Sequence, residues 1–311
     1  MQNKLAPIGI SVYNRLEHFK QCIEALQKNT LADQSELFIY SDAPGRPEDE
    51  ELVKKVREYV RNIKGFKRIC LIERENNYGG TQNFNDAQKD LTKKYGKSIF
   101  MEDDIVTAPG FLQFMNDALE FYRDDDRIIS ISGYSLPLKL LKNYKKDVYV
   151  LPRYNAWGVG ILWKHYEKYQ KPINKEEYEA IEDKCKILTI GGEDVLMMIE
   201  KEVNGELDAG DVRIMYQQAV QNKYTLYPKK SLVQNIGHDG SGVHCGVSDK
   251  FKHDYLWDKI NDFKFIKDIK VDERIRKANY KFRSTGLRGK VINIIKKTGL
   301  YPILKKIKDK M

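Results

Sequence analysis

Short apolar runs alternate with amphipathic stretches through the first 135 residues. Ile8 to Tyr13 is apolar enough for a buried strand. The segment behind it spaces Leu16, Phe19, Ile23 and Leu26 by three, four and three residues, which is one face of a helix. Leu37 to Ser41 reads as a second strand; Pro44, Gly45 and Pro47 then turn the chain into a charged stretch carrying Leu52, Val56, Tyr59 and Ile63 at helical spacing. Ile69 to Ile72 predicts a third strand, Gly79-Gly80 a turn into a helix over Thr81 to Tyr95, and Ser98 to Met101 a fourth strand. Phe111 to Tyr122 reads as helix and Arg127 to Ser132 as extended chain.

Strands separated by helices of this length need right-handed crossovers, so the pattern predicts an α/β fold with a mainly parallel sheet flanked by helices. In such sheets ligands bind at the carboxyl ends of the strands. The residues at those ends are Asn14-Arg15, Asp42, the run Asn76 to Gly80, and Glu102-Asp103-Asp104. Residues 150–250 are less regular and rich in Gly, aromatics and His, as in Tyr154 to Gly160 and Gly237 to Gly242, a composition suited to loops that close over a site or cap a core.

Composition narrows the picture. With 311 residues, 41% hydrophobic and 32% charged, the chain is long enough for a large core. The net charge of +9 would suit a polyanion-binding protein, but it is unevenly placed: residues 251–311 hold 18 Lys and Arg against 7 Asp and Glu, and the body before them is nearly neutral. Cys22, Cys70, Cys185 and Cys245 are scattered, without metal-binding spacing or a secretory signal, which predicts a reduced, cytoplasmic setting. No apolar run reaches the roughly 18–20 residues that span a bilayer.

Three consecutive carboxylates directly after an apolar strand are tolerable when solvated or when a cation neutralises them; Mg²⁺ or Mn²⁺ takes oxygen ligands and keeps positions open for substrate phosphates. Asp124-Asp125-Asp126, after a helix and at the opposite rim, reads as a solvated turn. Arg15 could hold a phosphate, Asp42 a nucleobase or ribose, and His244 a metal from a Gly-rich loop. Asp194, Asp208 and Asp211 are candidate general bases, though each also suits a helix cap.

Taken in order, Ile10 to Arg15, Ile39 to Asp42, Met101 to Asp104 with Pro109-Gly110-Phe111, Asn155-Ala156-Trp157-Gly158, and Ser231 to His244 resemble the GT-A class of nucleotide-sugar glycosyltransferases. Within that class they resemble bacterial relatives of N-acetylglucosaminyltransferase I. The resemblance covers residues 6–246. It implies a glycosyltransferase domain over 1–250, with a nucleotide-binding half to about residue 135 and an acceptor half over 136–250, followed by a basic helical extension over 251–311.

The resemblance further implies inverting transfer of a hexosyl or N-acetylhexosaminyl group from a nucleoside diphosphate sugar, a UDP-sugar first, with Mn²⁺ or Mg²⁺ on the diphosphate. Asp104 would ligate the metal with His244 closing that side; Asp103 would contact ribose or metal-bound water, Glu102 the sugar, Asp42 the uracil and Arg15 the diphosphate, with Trp157 also on the donor. The family's base falls at Asp208, with Asp211 and Asp194 behind it, because Asp208-Ala209-Gly210-Asp211 departs from the family's usual pattern.

From Arg274 to Met311 there are 13 Lys and Arg and one acid, with Val291, Ile292, Ile295, Leu300, Ile303, Leu304 and Ile307 at helical spacings among lysines. That pattern suits an anionic membrane surface, here the inner face of the plasma membrane, and a lipid-linked glycan acceptor for polysaccharide synthesis. It lacks the aromatics and modules of nucleic-acid binding. Two rival readings share parts of the pattern: a sugar-nucleotide nucleotidyltransferase, which would open with a Gly-rich loop where this chain has Tyr13-Asn14-Arg15, and a non-catalytic membrane- or polyanion-binding protein.

Overall fold

The computed structural model describes residues 4–241 and 246–284. His244, Cys245 and the basic run beyond Ser284 lie outside them, so the metal-side histidine and most of the amphipathic tail carry no structural statement.

The chain opens with β1 (Ile8–Val12), α1 (Leu16–Gln27), β2 (Glu36–Ser41), α2 (Glu50–Asn62), β3 (Arg68–Glu73), α3 (Gly80–Tyr95) and β4 (Lys97–Glu102), as the hydrophobic spacing predicts. A short β5 (Ile105–Thr107) precedes α4 (Phe111–Phe121) and β6 (Ile128–Ser132). The second half runs through β7 (Val148–Leu151), β8 (Val159–Leu162), α5 (Trp163–Tyr169), α6 (Lys175–Glu179) and α7 (Lys184–Leu188). It continues with α8 (Glu193–Val203), α9 (Gly210–Val220), β9 (Tyr224–Pro228), β10 (Val233–Asn235) and α10 (Glu273–Arg283).

Eight strands form one sheet in the order β3-β2-β1-β4-β8-β6-β9-β7, and β10 pairs with β5 in a separate antiparallel ribbon. The β3-β2-β1-β4 half is wholly parallel; beyond it β8 and β7 run against their neighbours while β6 and β9 pair in parallel. The sheet is therefore mainly parallel and flanked by helices, as expected.

The alternation of side chains along each strand divides the core into two layers. Ile8, Ile10, Leu37, Ile39, Ile99 and Met101 face α1, α2 and α4, packing with Phe19, Ile23, Val56 and Phe114. Phe38, Tyr40, Phe100 and Ile129 face the other way, onto Ala87 and Leu91 of α3 and Val212 and Met215 of α9. Residues 251–284 are helical only over α10, but Trp257, Phe263, Ile269 and Ile275 join the first layer, each under 10% exposed. Among the described residues no helix is long and apolar enough to cross a membrane.

The strand order reverses between β1 and β4: β2 and β3 were laid on one side of β1, and the crossover through α3 then places β4 on the other. Such a switch point leaves a crevice at the carboxyl ends of the two strands.

Candidate active site

That crevice receives Arg15 from the end of β1 and Glu102-Asp103-Asp104 from the end of β4. Asp103 and Asp104 are 4% and 6% exposed, so the triplet is not a solvated turn. One Arg15 Nη donates to Asp103 Oδ1 and, at 2.9 Å, to Asp104 Oδ2. Burial opposes the Arg15 charge, but Asp103 and Asp104 outweigh it and the guanidinium is held more tightly protonated. Among the described residues, one arginine is ion-paired at a triplet of three carboxylates. Burial, then repulsion from Asp104 and Asp103, pushes Glu102 up to about 8. Burial, against the pull of Arg15, leaves Asp103 at about 6.

The Gly-rich loop closes over this cluster from far along the chain. Ile236 N–H donates to the Asp104 carbonyl at 2.9 Å, and Asn235 Oδ1 accepts from Gly237 N–H at 2.8 Å. A Cβ at Gly237 would collide with Asp104 Oδ2 and sit 3.1 Å from Arg15 Nη1, so only glycine lets the backbone approach the carboxylate. Beyond Gly237, half-buried Trp157 packs edge-on against His238 and Phe251, with centroids 5.5 and 5.7 Å away. His18 meets Asp239 at 3.0 Å.

Asp42 is 2% exposed at the end of β2. Its carboxylate accepts from Ala43 N–H (3.0 Å), Tyr78 N–H (2.9 Å), Gly79 N–H (2.9 Å) and Asn77 Nδ2 (3.3 Å), tying the loop before α3 to the β2 end. Beside it stands Arg74, which sequence reasoning missed. Its guanidinium lies 5.5 and 4.8 Å from the Tyr40 and Tyr78 ring centroids, Nε donates to Asn83 Oδ1 at 3.0 Å, and buried Nη2 has no hydrogen-bond partner.

The candidate bases separate. Asp208 is 86% exposed and ion-paired to Arg213, which also holds Glu202, between α8 and α9. Asp211 lies near enough to Glu102 for its charge to raise it, and burial raises Asp211 itself. Asp211 Oδ1 accepts from the N–H of Val212, inside the first turn of its own helix. Asp194, at the start of α8, is 26% exposed at the side chain and held by both nitrogens of Arg153, at 2.9 and 2.8 Å. Burial would raise Asp194, but Arg153 prevails and keeps it below the usual carboxylate range. Arg153 follows β7, and its charge partly offsets the burial that raises Asp211, while its hydrogen bonds go to Asp194 and the Gly191 carbonyl. Nothing in the spacing of Pro152-Arg153-Tyr154 announced that role.

Among the described residues no group of three or more His, Cys, Asp or Glu side chains is arranged to hold a metal unaided. A hard divalent ion needs less than that: Mg²⁺ is typically bound by one or two carboxylates plus substrate phosphates. Asp104 fits this mode, as a buried carboxylate beside a glycine cradle in a cluster short of positive charge. Asp124-Asp125-Asp126 is unlike it, an opposite-rim turn whose Asp125 and Asp126 pair with Arg127 and Lys164.

The profile described as Glycosyl transferase family 2 matches residues 8–196. A search of curated proteins finds none that match. Among solved structures the chain is similar to the mannosyltransferase PcManGT from Pyrobaculum calidifontis in complex with GDP-Man and Mn²⁺, at 11% identity and TM-score 0.36, over 52% of this chain and 46% of that one. It is also similar to S. aureus TarS, at 12% identity and TM-score 0.40, over 74% of this chain and 36% of that one. TarS 1-349 gives 13% and 0.39 over 74% and 59%. The chain thus spans between about a third and three fifths of the length of these structures.

Proposed function

The chain belongs to glycosyl transferase family 2, and from that premise we propose that it carries out inverting transfer of a hexosyl or N-acetylhexosaminyl group from a nucleoside diphosphate sugar, a UDP-sugar first, to a glycan hydroxyl. The observation that carries this reading is the convergence of Arg15 and the Glu102-Asp103-Asp104 triplet at the β1/β4 switch point, under the Gly237 loop. Membership of a sugar-transferring family favours it over nucleotidyl transfer.

In this reading the donor lies across the carboxyl ends of β1, β2 and β4. Arg74, with its unpartnered Nη2 between two tyrosine rings, and the loop pinned by Asp42 bind the base. Arg15 turns from Asp103 and Asp104 toward the diphosphate, where its fixed charge offsets the negative charge that grows on the leaving group. Asp104, with His244 from the late loop, would hold Mn²⁺ or Mg²⁺, which supplies further charge stabilisation at the phosphate oxygens. Glu102 and Trp157 face the sugar.

Proton acceptance from the acceptor hydroxyl falls to Asp194. It is partly open, ionised at neutral pH and oriented by Arg153, whereas Asp211 spends an oxygen on its own helix and Asp208 points to solvent with Arg213. The basic run over 274–311 would keep the enzyme on an anionic inner membrane surface, near lipid-linked acceptors.

Slow hydrolysis of a panel of nucleotide sugars, with Mn²⁺, Mg²⁺ or chelator, tests the donor reading without knowledge of the acceptor. Metal-dependent hydrolysis lost in Asp104→Asn is expected; undiminished hydrolysis by that variant under chelation would sink it. Once an acceptor is found, Asp194→Asn should lower kcat by about 10²–10⁴ and Asp208→Asn by no more than a few-fold. A larger loss in Asp211→Asn would move the proton to Asp211.

A further inference from the structure

Arg283, the last residue of α10, reaches the neighbourhood of the candidate base from outside the family-matched residues. Its Cδ lies 3.2 Å from where a Cβ of Gly192 would stand, a point that is also 2.8 Å from Arg153 Nη1 and 2.6 Å from Asp194 Oδ1. Asn279, fully buried one turn earlier, fixes the approach: its Nδ2 donates to the Gly191 carbonyl at 2.9 Å and its Oδ1 accepts from Arg283 Nε at 3.3 Å. The guanidinium sits 5.8 Å from the centre of Phe251, whose ring packs on Trp157 and His238 beside the Asp104 loop.

The charges do not balance. Asp194 forms its bidentate pair with Arg153, and Arg283 has no ion pair among the described residues. Lys250, over the Phe251 and Phe282 rings at 5.6 and 5.1 Å, adds another cation to the same patch. Burial and the nearby Arg153, partly offset by Asp194, lower Arg283 to about 10, still charged at neutral pH. A half-buried guanidinium with no ion pair among the described residues is costly, and two arginines in reach of one another form a fork suited to an oxyanion.

We propose that Arg283, with Arg153 behind it, binds an anionic group of the acceptor, a phosphate or a carboxylate next to the hydroxyl that is glycosylated. The inference rests on the glycosyltransferase reading above and names its acceptor class. Arg283 is a specificity residue: it holds the anion while Asp194 meets the hydroxyl. Glycans joined by phosphodiesters, lipid-linked phosphates and acidic sugars carry such a group, whereas neutral glycans leave Arg283 unpaired.

The test uses the full chain and three probes of defined chemistry: glycerol 3-phosphate, glucuronate and glycerol, titrated calorimetrically with UDP and Mn²⁺ present. Saturable binding of either anion, with no detectable binding of glycerol, is expected. Arg283→Met should weaken anion binding at least tenfold and leave UDP binding and melting temperature the same or raise the latter, because it removes a half-buried charge with no ion pair among the described residues while keeping an apolar stem beside Gly192. Arg283→Lys should retain most of the affinity. Anion binding unchanged in Arg283→Met, or equal for glycerol and glycerol 3-phosphate, overturns the proposal. So does a fall in melting temperature with no change in selectivity, which would mark Arg283 as structural. Should Arg283→Met not fold, Arg283→Lys and the glycerol comparison on wild type still decide. Wild-type protein that binds the anion through Arg283 yet fails to bind UDP supports this inference and counts against the donor site instead.

Discussion

His165 shows how a single side chain sets a pH response. It is 3% exposed on α5, stacks on Tyr169, and its Nε2 has no hydrogen-bond partner. Burial, then the charge of Lys164, lowers it from 6.5 to about 4. Between those values the unfolded chain binds a proton that the native protein does not, so stability is highest above pH 6.5 and falls as pH drops toward 4, by up to about 3 kcal/mol. His165→Phe should flatten that part of the melting-temperature profile; an unchanged slope would exclude His165 as its source. Site residues were legible to different degrees. Arg15 and the acidic triplet were legible because strand ends can be found from apolar runs, and a strand end is an address. Arg74 directly follows β3 yet passed unread between that strand and the Asn76–Gly80 run, whereas Arg153 and Arg283 had no such address: each is defined by rings or carboxylates distant in sequence. Asp208 and Asp194 look alike as helix-start aspartates, and only the fold shows Asp208 with Arg213 on the surface and Asp194 against Arg153.

At the scale of elements, one tight joint is between β1 and β4. A Cβ on Gly9 would collide with the Phe100 ring and lie 2.9 Å from Leu91 Cδ2 of α3. Gly9→Ala should therefore destabilise the protein by about 1–3 kcal/mol despite the better strand propensity of alanine, measured by urea unfolding; a neutral result would mean that α3 can shift. Because this joint carries the triplet, the same substitution should also weaken UDP binding. Elements up to Ser132, apart from the short β5, were legible because each helix has one apolar stripe and each strand an apolar run. The later strands were not. β8 inserts antiparallel between β4 and β6, and β9 slips between β6 and β7, pairings that depend on non-local registers rather than on spacing.

For the whole molecule, the proposed function divides two tasks between the near-neutral body and the basic end. Removing residues 285–311 should leave melting temperature and donor hydrolysis close to wild type while abolishing co-sedimentation with vesicles rich in anionic lipid; retained co-sedimentation would assign membrane contact to the body. The family-matched residues end at 196, yet β9, the slat between β6 and β7, begins at Tyr224, and the Gly237 loop and Arg283 come later still. A chain interrupted after residue 196 holds two strands with an unfilled slot between them, an open template for pairing with other chains. Chains cut short at that point are expected to aggregate rather than to act as a weaker enzyme, which sedimentation of a 1–196 fragment beside the full chain checks.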